Sequence, residues 1–275
     1  MDILRLILFI FSFKAIVVVR RNKASGRGKM KTINNFIKII IFLVVLNGGI
    51  LLITYVLTPK IPSFYREKHY DAVFFGTSQS YCSFDPLIFD EYHLKTYNRG
   101  RQQQTMNYTY YYIKDALDVC DIDVVVLETF GMCYEEDDTG FISEGVRDSS
   151  LNDMRMSETK IEAIRVPEEM QISYFFPLDK YHSRWEELDY ASWNGFYNSA
   201  LKPYYEEADR GYKRWTESEV CVDDYWSIAF SEIRRDVYAG NIKYLDKIYE
   251  LCQKKGAKLI LVKAPLPCYD RVIEE

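Results

Sequence analysis

Histidine is scarce in this chain of 275 residues, which contains only His69, His93 and His182. None of the six cysteines belongs to a C-x-x-C pair, so the ligand spacing of a zinc site is missing, and we predict neither a metal nor a cofactor. The cysteine spacings also lack a disulfide framework, which predicts mostly free, buried thiols. The net charge of -5 gives no basic face and argues against nucleic acid as a partner.

No small-residue cleavage pattern follows the apolar run at residues 36–57, where the chain continues as Thr58-Pro59-Lys60. The run has 22 positions with a single charge, Lys38, and about 20 such residues cross a hydrocarbon core. It is therefore predicted to be an uncleaved transmembrane anchor. The residues before it are rich in positive charge, which by the positive-inside rule keeps that side cytoplasmic: Arg20, Arg21, Lys23, Arg27, Lys29 and Lys31.

Another apolar run, at residues 3–19, has 17 positions and carries Arg5 and Lys14, so it is a marginal span at most. If it did cross, the amino terminus would lie outside and the side of the main domain would not change. A natural start at Met30 would make residues 1–29 an upstream extension. The predicted layout is a cytoplasmic basic segment at 1–35, a single anchor at 36–57, a stalk at 58–68 and an extracytoplasmic domain at 69–275.

Strand and helix patterns alternate after the stalk. Predicted strands cover residues 71–76, 96–98, 123–128 and 257–263, and predicted helices cover residues 85–92, 102–119 and 227–255. The strand at 123–128 is a continuous β-branched run, typical of a strand that is buried on both faces. This β-α-β order predicts an α/β fold with a parallel sheet.

Residues 131–225 have no clear period and are acidic, aromatic and interrupted by proline. We interpret them as a long insertion above the sheet edge, where functional loops collect. Within them, residues 135–138 are a run of four acidic side chains, which we interpret as a solvated loop rather than a cation site. A doubly wound sheet usually continues with a closing helix and a further strand, so we expect the chain to be carboxyl-terminally incomplete.

The most informative motif follows the first predicted strand and reads Gly76-Thr77-Ser78-Gln79-Ser80. The glycine permits a sharp turn, the strand end exposes the Ser78 hydroxyl, and amides of the turn can stabilise a developing oxyanion. Ser78 is therefore a candidate nucleophile. The alternative is a tight strand-to-helix turn whose hydroxyl groups only cap the next helix.

This motif resembles the first block of the SGNH/GDSL hydrolase family, and the chain is similar to its membrane-anchored bacterial branch, related to cell-envelope O-acetyl and D-alanyl transfer proteins. Further similarity, across residues 30–270, lies in Phe84-Asp85-Pro86, Tyr97-Asn98-x-Gly100, the strand at 124–128 and Tyr181-His182-Ser183-Arg184-Trp185. The resemblance implies a three-layer, flavodoxin-like sheet. It also implies Ser78 as the nucleophile, the amides of Ser78 and Gly100 as oxyanion donors, and Gln104 as a neighbour in the pocket. Gln79 stands where many relatives carry histidine.

Two blocks of the family are unmatched. The family's catalytic Asp-x-x-His follows the last strand, and no histidine occurs here after Lys263. The family's Gly-x-Asn-Asp block is replaced by Thr129-Phe130-Gly131. Asp179 precedes His182 by three positions, as in the missing motif. His182 is therefore a candidate to accept the Ser78 proton or to bind substrate, and Arg184 is a candidate to pair with an anionic group. The alternative is that these residues only pack structurally.

The resemblance implies a serine esterase or O-acyltransferase that acts on acyl esters of cell-envelope polysaccharide or teichoic acid. Its implied partners are a glycan or acyl donor, the lipid bilayer and a membrane protein that exports acyl groups. Hydrolysis and transfer differ only in whether water or a sugar hydroxyl resolves the acyl-enzyme. The alternative is a catalytically inactive or truncated envelope protein that binds glycan or serves as a scaffold.

Overall fold

The computed structural model describes residues 26–134, 144–166, 172–214 and 239–264. Its contacts divide the chain into two units, Met1–Leu57 and Thr58–Glu275. Several predictions concern segments outside the described residues, namely the apolar run at 3–19, the acidic run at 135–138, the first part of the helix at 227–255 and the end of the chain.

In the described part of the first unit, residues 26–57 form a long helix, α1 (Gly26–Leu57). Its segment Asn35–Leu57 has 23 residues and is long and apolar enough to cross a membrane. At about 1.5 Å per residue such a helix spans roughly the 30 Å of a hydrocarbon core. The Asn47 side chain donates to the Leu43 carbonyl oxygen at 2.6 Å, so this polar group is satisfied within the helix. The predicted apolar helix is confirmed.

In its described residues, the second unit is α/β and is built on a parallel sheet of four strands, as predicted. In sheet order the strands are β3 (Thr96–Asn98), β2 (His69–Phe75), β4 (Asp121–Glu128) and β6 (Lys258–Val262). Each neighbouring pair is parallel. A separate parallel pair joins β1 (Ile61–Pro62) to β5 (Tyr204–Tyr205), which ties the stalk to the insertion.

Helices connect the strands, and further helices occur in the described part of the insertion. Those around the sheet are α2 (Ser78–Ser83), α3 (Pro86–Asp90), α4 (Met106–Val119) and α9 (Ala239–Lys255). Those in the insertion are α5 (Glu144–Asn152), α6 (Glu158–Ile164), α7 (Pro177–Tyr181) and α8 (Trp193–Phe196). The predicted cap of α3 is confirmed, because the Asp85 carboxylate accepts the Leu87 amide at 2.9 Å and Pro86 occupies the first turn.

Helix α4 begins later than its apolar spacing predicts. Gln103 has a φ of +50°, in the left-handed region, and this ends any helical path from residue 102. The core lies between the sheet and the helices α4 and α9, and its fully buried members include Val73, Phe75, Val125, Leu127, Tyr112, Ile113, Ile248 and Cys252. Among the described residues, Cys82, Cys120, Cys133 and Cys252 form no disulfide, as predicted. Cys120 and Cys252 are buried, whereas Cys82 and Cys133 are only half-buried.

Candidate functional site

The candidate site begins with the glycine turn at the carboxyl end of β2. Gly76 has a φ of +133°, a backbone conformation that favours glycine. A Cβ at this position would lie 2.8 Å from the Glu128 Cβ and 2.9 Å from the Glu128 carbonyl oxygen. Backbone conformation and space therefore both require glycine here, and the turn lies directly against the end of β4.

Thr77 caps the helix that follows the turn. Its Oγ1 accepts the Gln79 amide at 3.2 Å, and its carbonyl oxygen accepts the Ser80 amide at 3.0 Å. Ser78 is consequently the first residue of α2 and is half-buried. The capping interpretation of the motif is confirmed for Thr77, and this leaves the Ser78 hydroxyl outside the cap.

The loop after β3 meets this turn. The Arg101 amide donates to the Gly76 carbonyl oxygen at 3.0 Å. A Cβ on Gly100 would lie 2.8 Å from the Ser80 Cβ and 2.9 Å from the Thr77 carbonyl oxygen, so the two segments approach as closely as a glycine allows. The two blocks that the sequence analysis selected, around Ser78 and around Gly100, are thus in direct contact.

Asn98 fixes the geometry of that contact from a fully buried position. Its Nδ2 donates to the carbonyl oxygens of Ser80 at 2.9 Å and Phe84 at 3.0 Å. Its Oδ1 accepts the Gly100 amide at 2.9 Å and the Ser80 hydroxyl at 3.3 Å. The Gly100 amide is therefore already hydrogen-bonded, and it could serve an oxyanion only by sharing or exchanging its bond to Asn98.

Glu128, the last residue of β4, is a functional candidate that the sequence analysis missed. It is buried, and its Oε2 accepts both the Thr77 hydroxyl at 2.8 Å and the Thr77 amide at 3.2 Å. Its Oε1 accepts the Phe130 amide at 2.6 Å. Burial raises the pKa of Glu128 above its ordinary value, and these hydrogen bonds partly oppose the rise. The sequence does contain a signal for Glu128, because this carboxylate ends an otherwise apolar run at residues 124–128.

Two tyrosines lie around Ser78 and Glu128. Burial raises the pKa of Tyr81, while the nearby Arg101 charge and the contact with the Ser78 hydroxyl lower it in part. Burial also raises the pKa of Tyr134, and the charge of Glu128 adds to that rise. Both phenols are neutral near pH 7, so they act as hydrogen-bonding groups rather than as bases.

The two predicted pocket glutamines occupy different environments. Gln79 is half-buried on α2, next to Ser78. Gln104 is 2% exposed, and its side chain donates to the Ser150 hydroxyl at 3.1 Å and accepts the Thr109 hydroxyl at 3.3 Å. Gln104 therefore joins α5 to α4, and both its amide nitrogen and its amide oxygen have protein partners there.

The described contacts of Asp179, His182 and Arg184 are with residues other than Ser78. The exposed His182 ring places Nδ1 2.5 Å from the Asp179 carbonyl oxygen, and Arg184 Nε donates to Glu187 at 2.8 Å. Burial, followed by the Arg184 charge, lowers the pKa of Lys60 to about 8. None of these described contacts involves Ser78; they run within the segment itself and to the stalk.

Within the described part of the chain, His69, Asp71 and Asp123 offer possible metal-ligating atoms within 4.8 Å of one another. They lie near the amino ends of β2 and β4, at the sheet edge opposite to Ser78. Their side chains already have protein partners, since His69 Nε2 lies 3.3 Å from the Asp123 carboxylate and Asp71 accepts the Lys95 amide at 2.6 Å. The cluster is thus separate from the candidate nucleophile.

Comparison of the chain with protein-family models, with curated proteins and with solved structures gives no match. The geometry of the Ser78 turn therefore carries the functional proposal.

Proposed function

We propose that the chain is a membrane-anchored, extracytoplasmic SGNH-like serine esterase or O-acyltransferase that acts on acyl esters of a cell-envelope glycan. The observation that carries the proposal is the contact between the Ser78 turn and the Gly100 loop at the carboxyl ends of β2 and β3. Open α/β sheets bind their ligands at this edge.

The strand order supports the same fold. Counted along the domain, the order β3-β2-β4-β6 is 2-1-3-4, the first part of the flavodoxin-like order. In that order the chain changes direction across the sheet between its first and third strands, here β2 and β4. Ser78 follows β2, and Glu128 ends β4, so the candidate nucleophile lies at the switch point, where such folds place their ligands.

In the proposed reaction, the Ser78 Oγ attacks the ester carbonyl carbon and forms a new C–O bond. The Ser78 amide stabilises the oxyanion together with the Gly100 amide, which shares its hydrogen bond to Asn98 with the oxyanion. The ester C–O bond then breaks, the leaving alkoxide takes up the proton that Ser78 lost, and water or a sugar hydroxyl releases the acyl group from Ser78. Tyr81, whose pKa is raised, is neutral near pH 7 and is not the base that removes the Ser78 proton. The proton acceptor is therefore a group other than this phenol.

Membrane attachment rests on the composition of α1 and its flank. The apolar segment Asn35–Leu57 supports a single span. Lys29 and Lys31 precede it in the same helix, and positive charge marks the cytoplasmic side. The domain after Thr58 is then outside, where envelope glycans and their acyl groups are found.

The test is hydrolysis of a chromogenic acetyl ester by the full chain in detergent. We expect release of the chromophore by the wild type and its loss in Ser78→Ala, with activity retained in the matched control Ser83→Ala at the exposed end of α2. Equal rates in wild type and Ser78→Ala would remove Ser78 from the reaction. Adding a sugar acceptor separates the two outcomes, because a transferase would then form an acetylated sugar.

A second candidate function is a non-catalytic glycan-binding protein. Three large aromatic side chains of the insertion are highly exposed, namely Trp185 at 58%, Tyr190 at 61% and Trp193 at 73%. Amphipathic aromatic rings of this kind suit stacking on sugars. This function predicts glycan binding that Ser78→Ala leaves unchanged, together with no ester hydrolysis that depends on Ser78.

A further inference from the structure

We propose that Glu128 is the positioning residue of the nucleophile turn, acting on Ser78 through Thr77. The inference rests on the proposed function, because it names the group that orients the proposed nucleophile. Glu128 does not need to touch the substrate in this role. It holds the residue immediately before Ser78 by both its backbone and its side chain.

The register of the sheet places Glu128 level with the turn. Phe75, the last residue of β2, pairs with Leu127, so Glu128 lies beside Gly76 at the carboxyl edge. The missing side chain of Gly76 leaves the space that Glu128 occupies, since a Cβ there would approach the Glu128 Oε2 to 3.0 Å. The glycine and the carboxylate therefore form one fitted pair behind Ser78.

The hydroxyl of Thr77 couples the carboxylate to helix α2. By donating its proton to Glu128 Oε2 at 2.8 Å, the hydroxyl is left with lone pairs that accept the Gln79 amide at 3.2 Å. Glu128 thus sets the rotation of the hydroxyl that caps the first turn of α2. Ser78 lies between the two anchored residues, so its own position depends on this pair of hydrogen bonds.

The ionised form of Glu128 is the one that fits its three donors. Oε2 accepts two hydrogen bonds from Thr77, and Oε1 accepts one from Phe130. A carboxamide or a protonated carboxyl would have the same shape, but it would present a donor to one of these groups. No ion pair among the described residues involves Glu128, so the three donors stand in for a cation.

The pKa of Glu128 supports this assignment. Burial raises it above its ordinary value, which makes the ionised form costly to keep. The titratable group that faces it from the segment after β4 is Tyr134, whose own raised pKa keeps that phenol neutral. Carboxylates with perturbed pKa values cluster at functional sites.

The test compares Glu128→Gln with the wild type in the full chain, using esterase activity that depends on Ser78. We expect kcat to fall on the order of tenfold to a hundredfold, as for a displaced reacting group, with KM changed less than twofold. Wild-type activity should also fall at acid pH as Glu128 becomes protonated, and Glu128→Gln should lack this acid limb. The matched control Glu91→Gln, at an exposed position, should behave as the wild type.

Hydrogen exchange tests the same contact without catalysis. In Glu128→Gln, the amides of residues 77–80 should exchange faster, while those of α4 exchange as in the wild type. A wild type without Ser78-dependent activity would contradict the proposed function. If the exchange of residues 77–80 were also unchanged in Glu128→Gln, the positioning role of Glu128 would be contradicted as well. If activity is present and Glu128→Gln matches the wild type at every pH, the positioning role of Glu128 alone is contradicted.

Two variants of Thr77 test the same coupling from its other side, independently of whether Glu128→Gln folds. Thr77→Val removes the hydroxyl that joins Glu128 to α2, whereas Thr77→Ser keeps it. We expect the loss of kcat in Thr77→Val and its rescue in Thr77→Ser. Equal activity in both variants would contradict the proposed coupling.

Discussion

Replacing Asn98 by alanine removes four hydrogen bonds from the junction between the two loops of the site. The side chain is fully buried, and its partners are the Gly100 amide, the carbonyl oxygens of Ser80 and Phe84, and the Ser80 hydroxyl. The hydroxyl can rotate to a new partner, and the Ser80 carbonyl oxygen keeps the hydrogen bond that it accepts from the Phe84 amide at 3.1 Å. Two backbone groups, the Gly100 amide and the Phe84 carbonyl, are left unpaired. At about 1 kcal/mol or more for each unpaired group, the expected loss of unfolding free energy is about 2–3 kcal/mol.

Urea unfolding of the full chain in detergent, followed by far-ultraviolet circular dichroism, measures this loss. Asn98→Ala should lower the midpoint without changing the slope, and the exposed control Asn198→Ala should stay within about 0.5 kcal/mol of the wild type. Asn98→Asp should be at least as damaging, because a carboxylate oxygen would face two carbonyl oxygens. A loss for Asn98→Ala as small as that of the control would refute the hydrogen-bond network.

Three further perturbations test the surrounding structure. Gly76→Ala should lower the unfolding free energy by over about 2 kcal/mol, because backbone strain and steric overlap add together. Gly256 has a φ of +76° and open space around it, so Gly256→Ala should lose only the strain energy of about 1–2 kcal/mol. Thermal melts measure both losses. Asp115→Ala should cost about 3–5 kcal/mol in urea unfolding, because it leaves the fully buried Arg99 without its carboxylate. The raised pKa of Glu128 means that the folded state binds the Glu128 proton more tightly than the unfolded state. The contribution of this group to the unfolding free energy is therefore full below its ordinary pKa and is lost as the pH rises through the raised pKa. Glu128→Gln should abolish this loss in urea midpoints measured across that pH window.

The sheet was predictable because its signals are local. Short apolar runs separated by helical spacing indicate parallel strands, and β2, β3, β4 and β6 all appear where such runs occur. The glycine turn was equally legible, since a glycine at a strand end followed by hydroxyl residues marks a sharp turn into a helix. The start of α4 was wrong by four residues because the left-handed backbone at Gln103 leaves no mark in the apolar spacing.

The rest of the site depends on contacts between distant segments, which a local pattern does not contain. Gln104 follows the family-like motif, yet its amide is bound to Ser150 of the insertion, 46 residues away. Glu128 received no role in the sequence analysis because its partner Thr77 lies 51 residues earlier. His182 was selected for its spacing from Asp179, and that spacing produces a local contact with the Asp179 carbonyl.

The most direct test of the account is to trap the acyl-enzyme. The full chain is incubated with an acetyl ester, quenched in acid, digested and examined by mass spectrometry. The proposed mechanism predicts an acetyl group on Ser78 in the wild type, and its absence from the corresponding peptide of Ser78→Ala. An unmodified Ser78 in a chain that turns over the ester, or acetylation of that peptide regardless of the substitution, would contradict the assignment of Ser78 as the nucleophile.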